Sequence, residues 1–138
     1  MTPVVLIVEE QPALRQKYER FLREEGYQVL STPPSEEALR VLRETPPDLI
    51  VIDPNAGMGR GMEIATEALR LDPSVRLVFN TSDPMELELD FSSWVADAYT
   101  VRSPQPLEMR DTVRALLRRA FDEGADLRVR HSLERARA

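Results

Sequence analysis

Two apolar runs in this chain end in acid. Val4 to Val8 leads straight into Glu9-Glu10, and Leu49-Ile50-Val51-Ile52 leads into Asp53. Unbroken apolar runs of this length mark strands buried on both faces, as in a parallel sheet covered by helices on each side. In such sheets the ligand site lies outside the carboxyl ends of the strands, where strand order reverses. Three carboxylates brought together there repel one another, so one must hold a proton or a cation must neutralise them.

The rest of the chain alternates strand and helix. The spacing of Leu14, Tyr18, Phe21 and Leu22 predicts a helix over Gln11 to Glu25, stopped by Gly26. Tyr27 to Leu30 reads as a second strand. Ser35 is expected to cap a helix over Glu36 to Glu44 that turns Ala38, Leu39 and Leu42 inward. Leu49 to Asp53 is the third strand. Gly57, Gly59 and Gly61 mark a flexible loop before a helix over Met62 to Leu71. Val75 to Phe79 and Ala98 to Val101 are the fourth and fifth strands, with a weak acidic helix over Pro84 to Phe91 between them. Leu107 to Phe121 is a strongly amphipathic last helix with Val113, Leu116 and Leu117 inward. Five short strands alternating with five helices predict an α/β, doubly wound five-stranded parallel sheet with helices on both faces.

The 138 residues fit one domain, residues 1–121, followed by a tail over 122–138 that reads as a loose, arginine-rich end. A net charge of −6 argues against non-specific nucleic-acid binding. No apolar stretch reaches membrane-spanning length and the first strand leaves no room for a leader, so the expected location is cytoplasmic. Without cysteine there are no disulfides and no thiolate zinc sites. Lys17 is the only lysine, so any other role usually taken by lysine falls to arginine or to nothing.

Five segments together resemble the receiver domain of two-component response regulators. Glu9-Glu10-Gln-Pro12 resembles the acidic pair after the first strand, and Pro47-Asp48-Leu49-Ile50-Val51-Ile52-Asp53 the third strand with its phosphoacceptor aspartate. Gly61 matches a loop glycine. Asn80-Thr81-Ser82 resembles the fourth-strand Thr/Ser motif, and Ala96-Asp97-Ala98-Tyr99-Thr100-Val101-Arg102 the fifth strand with an aromatic switch residue and then a lysine. The resemblance spans roughly Val4 to Arg119 and implies a flavodoxin-like strand order, 2-1-3-4-5. It implies that Asp53 accepts a phosphoryl group and that Glu10, Asp53 and the Asn55 backbone carbonyl hold Mg²⁺, with Glu9 acting through a water. It further implies that Thr81 donates its hydroxyl to the phosphoryl group and that Tyr99 swings inward in response. A histidine kinase or phosphotransfer protein would be the donor. The output partner is unknown, and the fourth helix, fifth strand and fifth helix would form the face for it or for a homodimer. Beyond self-phosphorylation from a donor, no enzyme activity is expected.

Two departures stand against this pattern. Arg102 occupies the lysine position, and a planar fork does not replace a compact ammonium at a tight site. The acidic pair is Glu-Glu where aspartates are usual, and each extra methylene reaches further into the pocket. An alternative reading follows: Arg102 reaches Asp53 and one of the two glutamates, the pocket is neutral without metal, and the domain is a phosphorylation-independent docking or dimerisation module.

Other classes lack their residues. Glu9-Glu10 would repel a flavin phosphate, and the only histidine, His131 in the tail, is not in a loop that would ligate cobalamin. There is no nucleophile–base pair for hydrolysis, and the glycines follow the third strand rather than the first, where a dinucleotide site needs them. Met58 and Met62 read as loop and core residues, and Trp94 as a packing residue. With no output domain expected after the receiver, the chain reads as a single-domain regulator or as one member of a relay, with no nucleic-acid or membrane contact.

Overall fold

The computed structural model describes residues 2–83 and 95–120. The expected helix over Pro84 to Phe91, Trp94, and the tail with His131 lie outside these residues. The order is β1 (Val4–Val8), α1 (Pro12–Arg23), β2 (Gln28–Thr32), α2 (Glu36–Glu44), β3 (Leu49–Ile52), α3 (Arg60–Leu71), β4 (Arg76–Thr81) and β5 (Ala98–Val101). A last helix runs through residues 107–120. The five strands are all parallel, in the order β2-β1-β3-β4-β5. β3 is therefore central, and strand order reverses between β1 and β3, which pair Val5 with Leu49 through Val8 with Ile52.

Strand alternation sorts the core into two layers. Leu6, Val8, Ile50, Ile52, Leu77 and Phe79 pack with residues of α2 and α3. Val5, Ile7, Leu49, Val51 and Val78 pack with Tyr18 and Leu22 of α1 and with Met109, Val113 and Leu117 of the last helix. Each fully buried leucine or isoleucine stabilises the fold by roughly 1.5–3 kcal/mol.

Boundaries differ from the sequence expectation where turns intervene. Gly26 adopts φ 91°, and pairing begins at Val4–Gln28, so β2 runs from Gln28 rather than Tyr27. Residue Gly59, also left-handed, starts α3 at Arg60, two residues before Met62. β4 extends through Asn80 and Thr81, carrying both to the carboxyl edge. Asp53 lies one residue beyond β3. Ser35 holds the N-cap position of α2, but its side chain makes no capping bond; its hydroxyl donates to the Pro33 carbonyl instead (3.4 Å).

The opposite end of the sheet is closed by acids. Asp48 accepts the Val4 N–H on Oδ2 (2.7 Å), and Asp97 accepts the Leu77 N–H on Oδ2 (2.8 Å). These carboxylates satisfy strand-end donors that would otherwise face nothing.

Candidate functional site

At the carboxyl edge, β1 delivers Glu9, β3 delivers Asp53, β4 delivers Thr81 and β5 delivers Arg102. Glu9 is only 3% exposed, and a buried carboxylate needs partners. It has them. The Arg102 guanidinium clasps it with two bonds, Nε to Oε1 (2.7 Å) and Nη2 to Oε2 (2.8 Å). The Gln11 N–H also donates to Oε2 (2.7 Å), and Arg15 Nη1 donates to the Glu9 carbonyl (2.8 Å). Such a fork-to-carboxylate pair is the strongest ordinary ion-pair geometry. On the main chain, the Arg102 N–H donates to the Thr81 carbonyl (2.8 Å), which fixes where the guanidinium starts from.

Asp53 is half-buried, and Oδ1 accepts the Asn55 N–H (2.9 Å). Burial raises its pKa above the usual carboxylate value. The Asn55 hydrogen bond and the Arg102 charge oppose that rise, and the charges of Glu9 and Glu10 add to it. Glu10 is exposed and acts on Asp53 through its charge. The acids of the edge are thus divided: Glu9 is committed to Arg102, while Asp53 and Glu10 remain on the solvent side. Among the described residues no three Asp, Glu, His or Cys side chains form a metal-holding group. Glu9, expected to act on a cation through water, has both oxygens engaged.

The loop after Asp53 is shaped by glycine. Gly57, Met58 and Gly59 are left-handed in succession (φ 60°, 59° and 95°), and Met58 stands fully exposed at the tip. Gly61 is required by contact, since a Cβ there would lie 2.0 Å from the Asp53 carbonyl oxygen. The first turn of α3 therefore rests directly on the Asp53 backbone, and the Met62 N–H donates to the Pro54 carbonyl (3.0 Å).

Tyr99 is half-buried and packs edge-on against Phe79, ring centroids 5.8 Å apart. Thr81 is buried at the end of β4. Below them lies a set of polar residues that the sequence reading passed over. Asn80 Nδ2 donates to the Tyr18 hydroxyl (3.0 Å), and the Thr100 hydroxyl donates to Asn80 Oδ1 (2.7 Å). An asparagine directly after the apolar run Leu77-Val78-Phe79 was the available signal, because a buried amide must find partners.

These features match a known family. Residues 5–93 match the model of the response regulator receiver domain. The chain is 31% identical over 125 residues to transcriptional regulatory protein AfsQ1 of Streptomyces coelicolor, covering 90% of this chain and 55% of that protein. It is 32% identical over 125 residues to DNA-binding response regulator MtrA of Mycolicibacterium smegmatis, covering 89% and 54%. It spans about half the length of these curated relatives. Among solved structures, response regulator TrrA of Thermotoga maritima, in complex with Mg²⁺-BeF, superposes with a TM-score of 0.73 at 30% identity, covering 84% of this chain and 99% of that one. TrrA has also been solved in complex with the histidine kinase ThkA, and matches there at 29% identity and a TM-score of 0.72, covering 85% and 99%. The chain belongs to the response regulator receiver family of two-component signalling proteins.

Proposed function

We propose that this receiver accepts a phosphoryl group on Asp53. The observation that carries the reading is the placement of a half-exposed carboxylate at the carboxyl end of the central strand, with one oxygen held by the Asn55 N–H. An Asp53 oxygen would attack phosphorus as the donor's P–N or P–O bond breaks, the electron pair leaving with the donor. Positioning and charge compensation supply most of the catalysis in such transfers. The donor chemistry fits a hard divalent cation, which takes one or two carboxylates and completes its shell with waters and phosphate oxygens. Asp53, Glu10 and the Asn55 carbonyl would hold Mg²⁺, which when bound offsets the charge of the transferring group. Glu9 would instead orient Arg102, whose positive charge faces Asp53. Thr81 would donate its hydroxyl to a phosphoryl oxygen, and Tyr99 would follow it inward.

By the example of TrrA with ThkA, the donor would be a histidine kinase or a phosphotransfer protein. The output face would include the edge strand β5 and the last helix, where Val101 and Leu107 are exposed apolar residues. A homodimer through that face belongs to the same proposal.

A second reading has one observation in its favour. The Arg102–Glu9 clasp occupies both Glu9 oxygens, which suits a metal-free docking module. Intact mass after incubation with Mg²⁺ and a small phosphodonor separates the two. The expected result is a gain of one phosphoryl group, absent in Asp53→Asn. A folded protein that gains no mass with ample donor and metal would support the docking module instead.

A further inference from the structure

The polar residues beneath the site do more than fill space. Tyr18 is 1% exposed and sits on α1, on the face turned toward the sheet. Its ring is core, packed with Leu22, Val78 and Val113 in one layer. Its hydroxyl is not needed for that packing, and burying a hydroxyl is costly unless it is bonded. It receives Asn80 Nδ2 of β4. Asn80 is in turn fixed by the Thr100 hydroxyl of β5, directly across the ladder from it.

The phenol thus ties α1 to β4 directly, and to β5 through Asn80 and Thr100. The same hydroxyl lies in the field of both Glu9 and Arg102, and Arg102 feels Tyr18 in return. Glu9 follows β1 in the turn that leads into α1, and Arg102 immediately follows β5, so the ion pair bridges that turn to the strand that Tyr18 reaches through Asn80 and Thr100.

We infer that Tyr18 is a positioning residue: through Asn80 and Thr100 it holds the end of β5 so that the Arg102 guanidinium stays clasped on Glu9 beside Asp53. Its contribution to phosphoryl transfer rests on the reading of Asp53 as acceptor. Its control of Arg102 does not.

The direct readout is solvent exchange of the Arg102 Nε–H in the whole, unphosphorylated protein, followed by nuclear magnetic resonance. Tyr18→Phe keeps the ring and removes the hydroxyl. It should speed that exchange up to roughly tenfold, the scale of one lost hydrogen bond. Val75→Ala, a core change in the other layer at the far end of β4, serves as the stability control and should leave the exchange unchanged. Should Tyr18→Phe fail to fold, the triple variant Tyr18→Phe, Asn80→Val, Thr100→Val removes every member of the set, leaves no amide unpaired, and should show the same faster exchange. Unchanged Arg102 exchange in a folded variant lacking the Tyr18 hydroxyl would overturn the inference. So would equal acceleration in Val75→Ala, since the effect would then follow stability alone. Phosphoryl gain by mass, measured on the same proteins, keeps the two ideas apart. Faster Arg102 exchange in Tyr18→Phe, beside an unmutated protein that takes no phosphoryl group, upholds the positioning role while removing the acceptor reading.

Discussion

Glu9 and Arg102 show how one side chain sets the character of the site. A carboxylate this deeply buried is tolerable only because the guanidinium and the Gln11 N–H satisfy it. Arg102→Ala should therefore destabilise the protein by about 3 kcal/mol in urea denaturation, most of it the cost of leaving Glu9 charged and unpaired. Arg102→Lys should recover only part, because an ammonium cannot make the two parallel bonds. Asp53 behaves in the opposite sense. Its pKa is raised chiefly by burial, so folding opposes its ionisation. That penalty is full above the folded-state pKa, shrinks as pH falls through it, and is gone below the unfolded value. Asp53→Asn should accordingly raise Tm by a few degrees at neutral pH, with the gain fading on acidification; a gain that grows toward low pH would contradict this. The Glu9–Arg102 contact was only half legible in the sequence. Strand ends placed the two residues near each other, but which acid would take the guanidinium depends on burial, and spacing does not encode burial. Tyr18, Asn80 and Thr100 were not legible as a unit, because they join residues 62 and 20 positions apart. A tyrosine at helical spacing reads simply as core.

At the scale of elements, the loop from Asp53 to α3 is the most constrained piece of the chain. Gly61 has no room for a methyl group, since the obstacle is the Asp53 backbone rather than a flexible side chain. Gly61→Ala should cost about 3 kcal/mol, at the upper end for overpacking, and should shift the Asp53 backbone. The check is thermal unfolding together with the Asn55 amide chemical shift, which reports the Asp53 Oδ1 bond directly. The sequence marked this segment as a glycine-rich flexible loop. It did not mark the contact that makes Gly61 obligatory, because that contact comes from α3 folding back on the turn. Strands were the more legible elements. β1 and β3 are unbroken apolar runs because both faces are covered, while β2, a less apolar edge strand, was misplaced by one residue at its start and two at its end.

The whole molecule is two apolar layers sharing one sheet, and neighbouring residues on a strand serve opposite layers. Leu77 faces α2 and α3, whereas Val78 faces α1 and the last helix. Damage to either layer should thus be felt as one loss. Leu77→Ala and Met109→Ala, in different layers, should each cost about 3 kcal/mol and each leave a single unfolding transition. Circular dichroism and β3 amide protection would then share one midpoint, and separate midpoints would show that the layers come apart independently. The doubly wound parallel sheet was readable from the alternation of runs, and the family from five short segments in order; the strand order came with that resemblance. The pairing of layers through shared strands needed the structure.

Asp48 and Asp97 close one end of the sheet by accepting strand-end amides, while the other end is held by a clasp between side chains. The sheet is in effect a cantilever, anchored at its amino-terminal edge and loaded at its carboxyl-terminal edge. A change of charge at Asp53 would fall on the end that side chains hold, where a rotation of Arg102 or Glu9 is enough to alter the ties. Asp48 and Asp97, at the opposite edge from Asp53, are the anchor that such a change would leave in place.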